Sequence, residues 1–366
     1  AGGTGGGVYP ALAVAAEWIA REGEPGTNEA PGSILWLGSR GGMEADLVGR
    51  AGLPFRAISA SGLHGVGWRM PLNAVLLARG LVQTLAVLGR YRPSAILVTG
   101  GFLAAPASMA GWLRGVPVVM AVPDIEPGLA LKAIAPLTRR ICAIAAETRT
   151  YVDRKLAERV VVTGYPTRRE LQVLERGESL RQLGLEPGHR TVLVTGGSRG
   201  ARSINRAVFA ALPDWLSDTQ VIHLTGQLDF AEAEGVAAGL PPEQRARYVV
   251  KPYLHEMALA LSAADLVVSR AGASVIGEYP MFGLPAVLVP YPYAWRYQKI
   301  NADYLTARGA AVRLDDAALG ERLAGTVRGL LSDRERLAAM RDAARTHATP
   351  DAAERIADVL RDVARG

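Results

Sequence analysis

Three glycine-rich turns hold most of the chemistry that residue type and spacing announce. Gly2-Gly3-Thr4-Gly5-Gly6-Gly7 stands ahead of an apolar helix read over Ala11–Ile19. Its backbone N–H groups suit an anion at a helix N-terminus, and the same run also reads as a tight strand-to-helix turn with no ligand. Gly196-Gly197-Ser198-Arg199-Gly200-Ala201 repeats the arrangement after the strand Thr191–Thr195, and Ser198 adds a hydroxyl for a phosphate oxygen. Neither turn ends in the Lys-Ser/Thr of a phosphate-binding ATPase loop, which argues against that class. Gly272-Ala273-Ser274-Val275-Ile276-Gly277-Glu278 follows a third strand and opens a helix, with Glu278 one turn inside it. A carboxylate there can accept both hydroxyls of a ribose, each bond contributing about 1.5–3 kcal/mol when shielded from water. By residue type alone, Glu278 equally fits a solvated helix position.

The elements that position these turns alternate between short β-branched runs and longer helical patterns. That pattern gives βα units around parallel sheets. Strands are read at Ser33–Gly38, Phe55–Ser59, Ala95–Thr99, Val116–Val122, Arg140–Ala145 and Arg159–Thr163. A second set lies at Thr191–Thr195, Val221–Thr225, Tyr248–Pro252, Leu266–Ser269, Ala286–Pro290 and Ala311–Leu314. With 366 residues, the chain exceeds the roughly 250–300 at which a single core stops growing, so two Rossmann-like α/β domains are expected, with a crossover at Gly164-Tyr165-Pro166. Pro350 opens a final helix over Asp351–Arg365, with Ala352, Ile356, Val359 and Val363 on one face.

Composition narrows the class. Hydrophobic residues at 49% and charged residues at 21% exclude a wholly disordered chain. Cys142 is the single cysteine, which excludes an intrachain disulfide and a multi-thiolate zinc site; a reducing cytoplasm fits. The net charge of +6 attracts phosphates or anionic lipid without choosing between them. Its positive charge is scattered and no recognised module appears, so nucleic acid is not an expected partner. The longest uncharged stretch, Pro93–Leu113, is broken by Gly100-Gly101 and Pro106 and reads as strand, turn and helix instead of a membrane span. No secretory signal pattern opens the chain. Without an initiating Met, a short further strand is expected ahead of the first turn.

Taken together, the motifs resemble those of the MurG family of peptidoglycan glycosyltransferases. The resemblance is carried by Gly2-Gly3-Thr4-Gly5-Gly6 with Val8-Tyr9-Pro10-Ala11-Leu12-Ala13-Val14-Ala15, by Met43-Glu44-Ala45-Asp46-Leu47-Val48, and by Gly196-Gly197-Ser198 with Gly200-Ala201-Arg202. Arg270, Gly272-Ala273, Gly283-Leu284-Pro285, Gln298, Asn301-Ala302 and the Pro350-Asp351-Ala352 helix continue it, so that it spans almost the whole chain. It implies a GT-B fold, two Rossmann-like domains facing a cleft: 1–164 facing acceptor and membrane, 165–345 binding the UDP-sugar, and 346–366 a helix packing back on the first domain. It also implies an inverting transfer of N-acetylglucosamine from UDP-N-acetylglucosamine to the C4 hydroxyl of the muramyl sugar of lipid I, giving lipid II, with no cofactor and no metal. Ser198 and its neighbouring amides would hold the diphosphate, assisted by Arg168. Leu254 would meet the uracil through its backbone, and Ala273, Ser274, Val275, Ile276, Gly277 and Glu278 would form the nucleotide edge, Glu278 on the ribose. Gln298 would reach the sugar, while Thr4, Gly5, Gly6 and Asp124 would complete the donor contacts from the first domain.

The chain departs from the family pattern mainly on the acceptor side. Gly7 stands where the first loop ordinarily ends in His, and Ala121-Val122-Pro123-Asp124 replaces a His-Glu-Gln-Asn segment. Tyr165-Pro166 replaces an Asn-Pro turn, and Tyr293, Trp295 and Tyr297 enter the run before Gln298. With no side chain at Gly7, the general base is sought at Asp124 or Glu126, with His64 in Ser61-Gly62-Leu63-His64-Gly65 a further candidate and a diphosphate contact. Two other functions stay open on these departures: a GT-B enzyme with another donor sugar or lipid acceptor, and a nucleotide-sugar-binding homologue without turnover. Because the acceptor is a polyprenyl lipid, an anionic membrane surface is an expected partner, placing the protein peripherally at the cytoplasmic face of the bacterial inner membrane. The segment Trp68–Arg92 combines Leu72, Val75, Leu76, Leu81, Val82, Leu85 and Leu88 with Arg69, Arg79, Arg90 and Arg92. It reads either as a surface-binding helix or as a core helix with solvated arginines.

Overall fold

The computed structural model describes residues 5–22, 34–39, 43–59, 70–197, 199–294 and 296–365. The chain divides into two compact units, Ala1–Arg169 with Thr349–Gly366, and Glu170–Ala348. Every strand pairing in both is parallel.

In the first unit, β1 (Trp36–Ser39) pairs with β2 (Phe55–Ile58), and a separate four-stranded sheet runs β3 (Ile96–Val98), β4 (Val118–Ala121), β5 (Arg140–Ala143) and β6 (Val160–Val162) in sequence order. All six expected strands are present, with ends within three residues of those expected; β1 also runs one residue further, to Ser39. The Pro93–Leu113 stretch is β3, the Gly100-Gly101 turn and the helix Ala104–Arg114. One reading needs correction: the first helix runs Gly5–Glu22, so Gly5, Gly6 and Gly7 lie in its first turn and not in a loop ahead of Ala11. Glycine is a poor helix former, but burial overrides propensity here. Gly7 and Val8 are buried, and the Thr99 hydroxyl just past β3 donates to the Gly7 carbonyl at 2.7 Å. Pro10 inside this helix supplies no N–H.

The last helix, Ala352–Arg365, belongs to the same unit. Its Ile356 and Leu360 share a cluster with Val14 of the first helix, Val119 and Ala121 of β4, and Cys142 of β5. Arg21 of the first helix pairs with Glu354 and, at 2.8 Å, with Asp358. Burial in this cluster pushes the Cys142 thiol up to about 12, so it stays protonated and inert.

The second unit holds six strands in the order β12-β11-β10-β7-β8-β9: β7 (Arg190–Thr195), β8 (Thr219–Leu224), β9 (Tyr248–Lys251), β10 (Leu266–Ser269), β11 (Ala286–Leu288) and β12 (Ala311–Arg313). The central strands are buried on both faces, as a parallel sheet covered by helices requires, and read as nearly continuous apolar runs. The helix Arg202–Trp215 shows the complementary pattern: Ile204, Val208, Ala211, Leu212 and Trp215 face the core at helical spacing. Among the described residues, no helix is long and apolar enough to cross a membrane.

Candidate active site

In the second unit the strand order reverses between β7 and β10: the chain steps outward through β8 and β9 on one side, then through β11 and β12 on the other. In parallel α/β sheets such a reversal leaves a crevice at the carboxyl ends of the two central strands, where ligands bind. The turn after β7 is Gly196–Ala201. Thr195 Oγ1 accepts from Gly197 N at 3.2 Å, and Gly200 N donates to the Gly197 carbonyl at 3.0 Å. Gly200 has φ +74° and Gly226, after β8, has φ +77°. A Cβ on Gly200 would overlap the Thr225 carbonyl, and one on Gly226 would overlap the Gly200 backbone. Glycine is therefore required at both positions by conformation and by space. The helix Arg202–Trp215 starts directly after this turn, leaving its first N–H groups aimed at the crevice.

Across the reversal, β10 leads through Arg270–Ser274 into the helix Val275–Phe282. Ala273, Ser274 and Glu278 are half-buried; Val275, Ile276 and Gly277 are buried. The turn is fixed from behind, where buried Asn301 donates to the Ala271 carbonyl at 3.2 Å. The buried Tyr279 hydroxyl donates to Ser269 Oγ at 2.8 Å. Burial shifts that phenol above its ordinary range, so it remains a donor. Leu254 lies buried in the loop after β9. Gln298 is in the first turn of the helix Tyr297–Ala307, after β11, and its Oε1 accepts from Tyr291 N at 2.8 Å. The Gly196–Ala201 turn, Leu254, Ala273–Glu278 and Gln298 thus all follow the carboxyl ends of strands in one parallel sheet. They share one edge. Ser198 itself lies outside the described residues.

Arg270 ties this edge together, a role that residue type did not announce. It pairs with Asp316, donates to Ser203 Oγ at 2.8 Å and to the Val289 carbonyl at 3.3 Å, and lies over the Tyr291 ring at 5.2 Å. One guanidinium therefore joins the segments following β7, β10, β11 and β12.

In the first unit, Gly5 and Gly6 open the first helix, and Thr4 and His64 lie outside the described residues. The Arg168 guanidinium stacks over Tyr9 of that helix at 4.5 Å, and its Nε is buried without a hydrogen-bond partner among the described residues. Asp124 and Glu126 both fall in the loop after β4. Glu126 is only 2% exposed and accepts from Lys132 Nζ at 2.6 Å. Asp124 is half-buried. Between them, the Ile125 carbonyl takes the Thr148 hydroxyl at 2.9 Å, which anchors the loop.

Comparison with solved structures gives the class of protein. The chain matches a crystal structure of MurG from Acinetobacter baumannii with a TM-score of 0.76 at 24% identity, covering 99% of this chain and 97% of that one. The fold is therefore the two-domain α/β fold of the GT-B glycosyltransferases. Family models match at both ends: the glycosyltransferase family 28 N-terminal domain over residues 1–143 and the C-terminal domain over 191–356. A relative from Roseiflexus sp. (strain RS-1) is 40% identical over 98% of this chain and 93% of its own length. One from Desulforudis audaxviator (strain MP104C) is 38% identical over 99% and 97%. Both are named UDP-N-acetylglucosamine--N-acetylmuramyl-(pentapeptide) pyrophosphoryl-undecaprenol N-acetylglucosamine transferase. The chain belongs to the MurG family of glycosyltransferases, within glycosyltransferase family 28.

Proposed function

We infer that this chain transfers N-acetylglucosamine from UDP-N-acetylglucosamine to the C4 hydroxyl of the muramyl sugar of lipid I, forming lipid II for peptidoglycan. The observation that carries this reading is near-full-length identity of 38–40% to two proteins named for that transfer. It is supported by a crevice whose turns suit a nucleotide diphosphate.

In this reading the uracil meets the backbone at Leu254, the ribose hydroxyls meet Glu278, and Ala273–Gly277 line the nucleotide edge. Gln298 reaches the sugar. The diphosphate lies on the Gly196–Ala201 turn, with Ser198 and the N-terminus of the helix Arg202–Trp215. Arg168, Gly5, Gly6 and Thr4 are the first unit's candidate donor contacts; Arg168 Nε, buried without a hydrogen-bond partner among the described residues, is the observation that favours an anion beside it. The acceptor oxygen attacks the anomeric carbon, the bond to UDP breaks with inversion, and the charge developing on UDP is taken by these fixed donors. Asp124 takes the acceptor proton in preference to Glu126, whose carboxylate is committed to Lys132. Asp124 also stands in the donor-contact set, and His64 is the weaker base candidate and a contact to the acceptor diphosphate.

The acceptor carries a polyprenyl tail, so the protein works peripherally on an anionic membrane at the cytoplasmic face of the inner membrane. Exposed apolar side chains on the first unit favour this placement: Val75 and Val82 on the helix Met70–Tyr91, and Trp112 and Leu113 on the helix Ala104–Arg114. The deciding experiment measures UDP release from UDP-N-acetylglucosamine, with and without a soluble short-chain lipid I analogue, and identifies the disaccharide by mass spectrometry. Acceptor-dependent product is expected. Donor binding without product would overturn the reading in favour of another acceptor or a non-catalytic role.

A further inference from the structure

Behind the turn after β7 lies a chain of buried polar side chains that the transfer reaction does not itself call for. Asn205, in the helix Arg202–Trp215, gives both amide hydrogens away, to the Thr225 carbonyl at 2.9 Å and to Asp229 Oδ2 at 2.8 Å. Its Oδ1 must then accept, and the neighbour at 3.0 Å is His223 Nε2. That assignment places the imidazole proton on Nε2 and leaves Nδ1 as an acceptor, which the Tyr248 hydroxyl fills at 2.9 Å. The remaining oxygen of Asp229 takes Arg202 Nε at 2.8 Å. Each hydrogen bond fixes the direction of the next, so the chain has one orientation. Burial lowers the His223 pKa to about 3, which keeps the ring neutral and this proton assignment constant at any working pH.

The far end of the chain is the Thr225 carbonyl, the group against which Gly200 is seated without room for a Cβ. We propose that His223 is a positioning residue for the donor diphosphate, acting through Asn205 on the backbone that supports the Gly196–Ala201 turn. The inference rests on the reading that this turn holds the diphosphate. It assigns a role in the sugar-nucleotide site to a side chain with no exposure to solvent, held one residue before the carboxyl end of strand β8.

The test compares the affinities of UDP and uridine by calorimetry, since only UDP reports the diphosphate contacts. His223→Leu removes the Nε2 donor, and UDP affinity is expected to fall about tenfold, the equivalent of one net hydrogen bond, with uridine affinity unchanged. His223→Gln, whose amide can donate from nearly the same place, should restore most of the loss. Tyr248→Phe deletes only the hydroxyl at the end of the chain and should lower the UDP-to-uridine ratio by a smaller factor. Equal loss of both ligands in folded His223→Leu would mark a merely structural role and overturn the proposal. So would an unchanged ratio, in that variant or, should it fail to fold, in Tyr248→Phe. Wild-type protein that binds UDP no more tightly than uridine would instead overturn the donor reading itself, and the proposal with it.

Discussion

The two carboxylates after β4 are alike in residue type and unlike in circumstance. Glu126 is buried against Lys132, while Asp124 keeps partial access to solvent. General bases contribute roughly 10²–10⁴-fold to rate. Asp124→Asn is therefore expected to lower kcat by at least about a hundredfold while leaving the KM for UDP-N-acetylglucosamine within a few-fold. A rise in KM with kcat intact would assign Asp124 to donor contact alone, and full turnover would remove it from both roles. His223 offers a pH test independent of activity. In the unfolded chain it takes up a proton as pH falls below 6.5, whereas in the folded protein it resists until about 3. Its contribution is thus fully present above 6.5 and is lost as pH falls towards 3, at about 1.4 kcal/mol per pH unit. Urea unfolding at pH 7 and pH 5 should show wild type losing about 2 kcal/mol more than His223→Gln, and equal losses would refute the buried, neutral state. The turns after β7 and β10 were legible because a glycine run between a strand and a helix marks a tight turn locally, whereas the first glycine run carries the same signal and lies partly inside its helix. Arg270 was visible as a motif residue, but its function was not: Asp316 and Ser203 lie 46 and 67 positions away in sequence, and no local pattern joins them.

The helix Met70–Tyr91 shows what an element adds to its residues. Periodicity alone left it between core and surface. The structure sorts its side chains: Thr84 and Leu88 are buried, Leu76, Leu81 and Leu85 are half-buried, and Val75 and Val82 stand 63% and 66% exposed. Its inner face packs on the helix Ala104–Arg114, where the Arg114 guanidinium donates to the Leu85 carbonyl at 3.3 Å. That second helix carries Trp112 and Leu113 into solvent, which the reading of Pro93–Leu113 as strand, turn and helix left open, because one continuous uncharged run hides which side faces out. Arg79, Arg90 and Arg92 are exposed nearby in the sequence, each worth about 1 kcal/mol beside anionic lipid. Val82→Asp combined with Trp112→Ala should lower co-sedimentation with phosphatidylglycerol vesicles by about tenfold or more and leave UDP affinity unchanged. Undiminished sedimentation would move membrane contact to another surface.

For the molecule as a whole, chain order matters as much as contact. The first unit is not finished when its sheet is: residues 170–348 intervene before the chain returns with the helix Ala352–Arg365. The amphipathic pattern made this helix visible, with Ile356 on its apolar face, but the surface that receives it is built from Val14, Val119 and Cys142, each on a different element. No periodicity could pair it with that surface. Ile356 is almost fully buried, and Ile356→Ala should weaken its cluster by about 2–5 kcal/mol. The loss belongs to the first unit, because every member of the cluster does. Hydrogen exchange followed by mass spectrometry should therefore show faster exchange across β4 and β5, with β7 and β10 holding their wild-type protection and UDP still bound. Faster exchange spread evenly over both units would mean that they unfold as one, and that the last helix stabilises the whole chain instead of closing the unit it packs on.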